Sequence, residues 1–247
     1  MANISLKEMI KGAVHFGHPT HRWNPKMKPY LYGSRYGIHI FDLKKTAECL
    51  ITALDFLSNA SRANKEILFV GTKQQSRKLL EGIKADTGMP IVTDKWIPGL
   101  LTNFKTIKER INYFKKLKED DASGELQKYT KKEQTKLRKK IQELSISLSG
   151  VEDMAKTPQV LFVTDTVRDC ISVKEARRLK IPVVGIVDSN ADPDLVDFPI
   201  PANDDAIKSL TYILNLAKEA ISSKENKENT ETKEIKKDIQ NTEDKEK

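Results

Sequence analysis

Apolar positions along this chain follow two alternating rhythms, short unbroken runs and runs spaced by three or four residues. Gly37 to Phe41 is a short apolar strand, and Asp42 caps a helix carried by Cys49, Leu50, Ala53, Leu54 and Leu57. Glu66 to Val70 is a second strand. Gly71 then turns the chain, and Thr72 to Gln75 reads as a capping box opening a helix through Leu79, Leu80 and Ile83. Pro90 to Val92, Gln159 to Thr164 and Pro182 to Val187 are further strands, the last two continuous enough to be buried in a parallel sheet. A helix over about Ser172 to Leu179 separates those two. Asn203, with Asp204 and Asp205, caps a final helix ending near Ala220. Repeated strand-helix-strand units imply right-handed crossovers, so the expected fold is α/β, a three-layer sandwich with a mainly parallel, flavodoxin- or Rossmann-like sheet.

One stretch breaks that rhythm. Phe104, Ile107, Ile111, Phe114 and Leu117 step by three or four, as do Leu137, Ile141, Leu144 and Leu148, with Glu119 to Gly124 between them. Two apolar seams joined by a polar reversal predict an inserted antiparallel coiled-coil hairpin over 104–149, protruding by ~25 Å. The division expected is a basic aromatic segment (1–43) leading into the first strand, an α/β body (36–103 and 150–221), the hairpin, and a tail (222–247). The tail is nearly free of apolar side chains and is expected to be disordered.

Residues 15–43 follow neither rhythm. They hold all four histidines (His15, His18, His21, His39), the cations Arg22, Lys26, Lys28 and Arg35, and the rings Phe16, Trp23, Tyr30, Tyr32 and Tyr36. Charge changes the picture further. The chain carries a net +8, concentrated at +6 in residues 1–45 and +6 in residues 102–149. Two basic regions point to a polyanion, and cations interleaved with flat rings suit RNA, where phosphates and unpaired bases meet both. The competing reading is a proline-pinned loop covering the core edge, with the hairpin lysines serving only to solvate it.

Other chemistry is weakly encoded. No window approaches the ~20 apolar residues that span a bilayer, and MANISLKEMI lacks the apolar core of a signal peptide, so the cytoplasm is the expected compartment. Cys49 and Cys170 are far apart and read as reduced thiols. Val70 to Lys73 opens a helix after a strand but carries one glycine, short of a Walker or dinucleotide fingerprint. The run from Asp188 to Asp194 begins like a calcium loop, then places Pro193 where glycine is needed, so Asx turns explain it better. No cofactor is expected, with a divalent metal near His15 or His18 and Asp188 as a minor alternative, should the first segment cross that sheet edge. No nucleophile elbow or Ser-His-Asp order is present, so catalysis is not expected.

Several long blocks carry a resemblance. His15 to Leu43 reads HFGHPTHRWNPKMKPYLYGSRYGIHIFDL, and FVGTKQQ (Phe69 to Gln75), WIPGLLTNF (Trp96 to Phe104) and VGIVDSNADPDLVDFPIPANDDA (Val184 to Ala206) follow it in order. Together they resemble the S-two family of small-subunit ribosomal proteins over roughly residues 5–221. Tyr36 departs from the family pattern, which usually has Asn before the glycine. The resemblance implies a structural constituent of the small ribosomal subunit, bound to ribosomal RNA and neighbouring ribosomal proteins, and supporting the S-one protein that gathers messenger RNA. It implies a ribosomal location in the cytoplasm, or in an organelle stroma or matrix for an organelle-encoded chain. The expected RNA contacts are Arg22, Trp23, Lys26, Lys28, Tyr30, Arg35, Lys73, Lys105, Lys108, Lys132 and Lys136. A nucleotide-using enzyme, with substrate between Gly71 and Asp188, and a free RNA-binding module remain the alternatives.

Overall fold

The computed structural model describes residues 4–222, so the tail expected to be disordered (222–247) lies outside the described residues except at Ser222. The chain enters through a short helix α1 (Leu6–Lys11) and strand β1 (Phe16–Pro19). Two short 3-10 turns, Thr20–Arg22 and Pro25–Tyr30, lead into β2 (Leu31–Arg35), which turns back into β3 (Ile38–Phe41). These strands form a small antiparallel sheet in the order β1-β3-β2. Only β3 was readable from the sequence. The strands are four or five residues long, and of their side chains only Phe41 is fully buried, so no period-2 pattern marks them.

Arg35 pairs with Ile38 across a two-residue loop whose members both have positive φ, Tyr36 at 52° and Gly37 at 77°. That is the signature of a type I′ turn, whose twist matches the flanking strands. Asn-Gly is the preferred pair for this turn. Tyrosine holds the left-handed conformation here at an energetic cost.

Helix α2 (Leu43–Arg62) follows, with the Asp42 carboxylate accepting from the Lys44 amide as its cap. Next come β4 (Ile67–Val70), α3 (Gln74–Thr87) and β5 (Ile91–Val92). The capping box expected at Thr72 to Gln75 does not form. Instead the Thr72 hydroxyl donates to Asp169 Oδ1 at 2.8 Å, and α3 begins at Gln74 without a side-chain cap. After the inserted helices α4 (Phe104–Ala122) and α5 (Lys131–Leu148) come β6 (Val160–Val163), α6 (Cys170–Arg178), β7 (Val183–Val187), β8 (Phe198–Pro201) and α7 (207–222).

Strands β4 to β8 form one wholly parallel sheet in the order β5-β4-β6-β7-β8, which bears out the expected parallel sheet and is the flavodoxin-like of the two orders left open. Strands β4 to β7 divide their side chains between two apolar clusters, while the edge strand β8 contributes Phe198 and Ile200 to one of them. Ile67, Phe69, Val160, Phe162, Val184 and Ile186 pack on one face with residues of α2, α3 and α7. Leu68, Val70, Leu161, Val163, Val183 and Val187 pack on the other with residues of α4 and α6. Near-continuous apolar strands are what two covered faces require.

The two inserted helices pack against one another, and Arg138 pairs with Asp121 at 3.1 Å between them. Their seams differ in depth. Ile107, Ile111, Phe114 and Leu117 of α4 are buried, whereas in α5 only Leu148 is, with Leu137, Ile141 and Leu144 half-buried. Ile107, Ile111, Phe114 and Leu148 belong to the same cluster as Val92 and Leu161, so the insertion is rooted in the core of the body. Thr130 and Glu133 form a reciprocal capping box that starts α5.

Candidate nucleic-acid interface

A parallel sheet delivers the carboxyl ends of all its strands to one edge, and in this protein they deliver carboxylates. Asp165 and Asp169 follow β6, Asp188 follows β7, and Asp204 and Asp205 follow β8. Lys73, after β4, reaches Asp165 Oδ2 at 2.9 Å and Asp204 Oδ1 and Asp205 Oδ1 at 2.7 Å each. His18 of β1 completes the group. Its Nδ1 lies 3.0 Å from Asp188 Oδ1 and its Nε2 lies 3.5 Å from Asp205 Oδ2. The meeting of the first segment with Asp188, weighed from the sequence, therefore occurs through His18, while His15 stays apart with its Nδ1 buried and unpartnered.

The close approach of β1 depends on Gly17. A Cβ at that position would lie 2.8 Å from Ser189 Oγ and 3.4 Å from Asp188 Oδ1. The adjacent His18 amide donates to Ser189 Oγ at 2.8 Å. Burial and the nearby carboxylates of Asp188 and Asp165 push the Asp204 carboxyl up to about 7, against the pull of Lys73. His18 is raised, chiefly by its hydrogen bond to Asp188. Burial works against the charge on Lys73, but its carboxylate partners outweigh burial and raise its pKa.

The residues expected to contact RNA are thus not equivalent. Arg22 and Lys28 are exposed with no ion-pair partner among the described residues, and Trp23 lies beside His39 with ring centroids 5.2 Å apart. Arg35 stands over the Tyr36 ring, 5.3 Å from its centroid. Lys26 is shared between Asp192 and Asp194, at 2.8 Å from each. Tyr30 is half-buried against the core cluster that holds Met27 and Phe41. Lys73 is committed to three carboxylates, and that environment would repel a phosphate at the Gly71 turn, which argues against the nucleotide reading.

On the insertion, Lys105, Lys108, Lys132 and Lys136 are all exposed, and none takes part in a salt bridge among the described residues. Lys108 donates to the Ala155 carbonyl at 3.0 Å. By contrast Lys115, Lys118, Arg138 and Lys140 each face an acidic partner.

Sequence reasoning missed Glu175. This buried α6 residue accepts from Trp96 Nε1 (3.0 Å), the Gly99 amide (2.8 Å), the Leu101 and Thr102 amides (3.1 Å each) and the Thr102 hydroxyl (3.1 Å). Burial opposes its charge, but these bonds prevail and hold its pKa below the usual value. It therefore organises the WIPGLLTNF loop that leads into α4. A lone glutamate on a lysine- and arginine-rich helix gave no signal of this.

Among the described residues, no helix is long and apolar enough to cross a membrane. The family model described as Ribosomal protein S2 matches residues 9–224. The chain is 45% identical over 221 residues to the protein named small ribosomal subunit protein uS2 of Coprothermobacter proteolyticus, covering 90% of this chain and 82% of that relative. The same identity and span link it to uS2 of Petrotoga mobilis, with 77% of that protein covered, and of Geotalea uraniireducens, with 86% covered. The flavodoxin-like sheet with its inserted helix pair, and a match running almost from end to end, place the chain in one family: it belongs to the ribosomal protein S2 family.

Proposed function

We propose that this protein is a structural, non-catalytic component of the small ribosomal subunit that binds ribosomal RNA through its N-terminal sheet and the exposed lysines of its inserted helices. The observation that carries this reading is the coincidence of unpaired cations and open rings in one short segment, the β1–β3 sheet and the turns that join its strands. Arg22 and Lys28 have no carboxylate partner among the described residues, Tyr32 and Tyr36 are 83% and 90% exposed, and Trp23, next to Arg22 in sequence, is 36% exposed. Cations without partners lose little on meeting phosphates, and exposed rings offer faces to unpaired bases. The same sorting marks the insertion, where the four unpaired lysines are the RNA-facing candidates and the paired ones serve the fold.

In this reading Lys26, Tyr30 and Lys73 position the surface and do not touch RNA themselves. The resemblance to the family supports neighbouring small-subunit proteins, and the S-one messenger-RNA-binding protein, as partners on a cytoplasmic ribosome. The test is sucrose-gradient fractionation of cell lysate at rising salt. Co-sedimentation with the small subunit at moderate salt, lost at high salt, is expected. A chain confined to the top fractions at every salt concentration would overturn the proposal.

A further inference from the structure

Three side chains remote in sequence converge at the sheet edge with donor atoms spaced as ligands. One nitrogen of His18 and one oxygen each from Asp188 and Asp204 lie within 4.8 Å of one another. A tetrahedral ion with bonds of about 2.0–2.2 Å needs donors roughly 3.4 Å apart, so the widest pair closes by at most about 1.4 Å to complete the set. His18 Nδ1 and Asp188 Oδ1 lie 3.0 Å apart, at hydrogen-bond distance, so an ion would take the place of the proton between them and open the pair slightly. We propose that His18, Asp188 and Asp204 form a binding site for one divalent cation of the zinc class, and that the bound ion fastens β1 to the carboxyl end of the parallel sheet.

A separate observation is the charge held there. Asp165, Asp188 and Asp204 are 3%, 1% and 2% exposed, and the more open Asp205 adjoins them. Against these four carboxylates stand the ammonium of Lys73 and the imidazole of His18. With the four carboxylates ionised and His18 neutral, as a ligating imidazole must be, the group carries an excess of three negative charges, in surroundings that solvate charge poorly. A dication removes most of that excess, whereas neutral donors alone would leave it in place.

The arrangement around His18 matches a ligand histidine. With Nδ1 on the ion, Nε2–H is left facing Asp205 Oδ2 at 3.5 Å, the carboxylate-histidine-metal order that fixes a ligating ring. Asp204 Oδ1 holds Lys73, which leaves Oδ2 as the oxygen for the ion. The Ser189 hydroxyl donates to Asp188 Oδ1 and supports the second ligand. One imidazole with two carboxylates favours zinc over magnesium or calcium, which prefer oxygen donors throughout.

The consequence reaches the proposed RNA surface. His18 precedes Arg22, Trp23 and Lys28 by four, five and ten residues, while Asp188 and Asp204 follow the last two strands of the body. An ion bridging them holds the basic segment to the body and lowers its freedom before RNA arrives. The site itself stands on the side-chain geometry and does not depend on the ribosomal reading.

The test uses the full-length chain stripped of metal by a chelator, titrated with Zn2+, and with Mg2+ and Ca2+ as comparisons, by calorimetry and thermal melting. One Zn2+ per chain, a higher melting temperature with Zn2+ than with Mg2+ or Ca2+, and slower hydrogen exchange in β1 are expected. His18→Ala should weaken Zn2+ binding about tenfold or more, while the exposed-site control His21→Ala leaves it unchanged. Asp204→Asn provides a second ligand test should His18→Ala fold poorly. Absence of a one-to-one Zn2+ complex, binding unaffected by both His18→Ala and Asp204→Asn, or equal response to Mg2+ would overturn the proposal.

Discussion

Two buried carboxylate sites sit at opposite extremes of satisfaction. Glu175 receives five hydrogen bonds from Trp96, Gly99, Leu101 and Thr102, all neutral donors supplied by one loop. At the sheet edge, Asp165, Asp188, Asp204 and Asp205 share Lys73 and His18. The first is complete in itself and acts as architecture, shaping the passage from the sheet to α4. The second carries more negative charge than its own partners neutralise. A satisfied buried charge organises the chain around it, and an over-charged one is built for something that arrives later.

The sharpest way to break this contrast is Glu175→Ala, which strands five donors at once. Its expected cost is on the order of 3 kcal/mol or more in urea unfolding. A loss below ~1 kcal/mol would show that the loop does not depend on Glu175. The pH dependence carries its own sign. The folded pKa of Glu175 lies below its unfolded value, so its contribution is fully present above the unfolded pKa and is lost as acidification passes through the folded one. Glu175→Gln should therefore flatten the acid limb of the stability curve, a change read by melting temperature against pH.

Next in size is Lys73→Met, which removes the one lysine from the other site. In metal-free protein it should cost about 3 kcal/mol, and less once Zn2+ is added, because the ion offsets part of the stranded charge. An equal cost with and without Zn2+ would separate Lys73 from the proposed ion. Gly17→Ala comes third. Its methyl group would meet Ser189 Oγ at 2.8 Å, so a loss of about 1–3 kcal/mol and a displaced β1 are expected. Smallest is Tyr36→Asn, which relieves the left-handed tyrosine of the β2–β3 turn and should stabilise by roughly 1 kcal/mol. A destabilised Tyr36→Asn chain would mean that the ring contributes packing not evident from its 90% exposure.

How far each region could be read from sequence follows the same division between local and distant causes. The strands Ile67–Val70, Val160–Val163 and Val183–Val187 were legible because both faces of a covered parallel sheet demand apolar side chains at every position. The caps at Asp42 and Asn203 were legible because each bonds amides within three residues. Thr72 shows the limit. Its local pattern predicted a capping box, yet a carboxylate 97 residues away, Asp169, takes its hydroxyl. The antiparallel sheet around β1 was equally hidden, since its register rests on contacts such as His18 to Ser189, 171 residues apart. Exposed cations could be nominated by type alone, but separating unpaired Arg22 and Lys28 from Lys26 and Lys73 required knowing where Asp192, Asp194, Asp165 and Asp204 fold to.

The central functional claim rests on those unpaired cations, and the most direct measurement is equilibrium binding to small subunits lacking this protein, across a salt series, for the unaltered chain and for an Arg22→Ala, Lys28→Ala double variant. The account predicts weaker binding at low salt and a log-log salt slope smaller by roughly 1.5 for the variant, as expected for two lost phosphate contacts. Identical affinity and identical slope for the two chains at every salt concentration would contradict it.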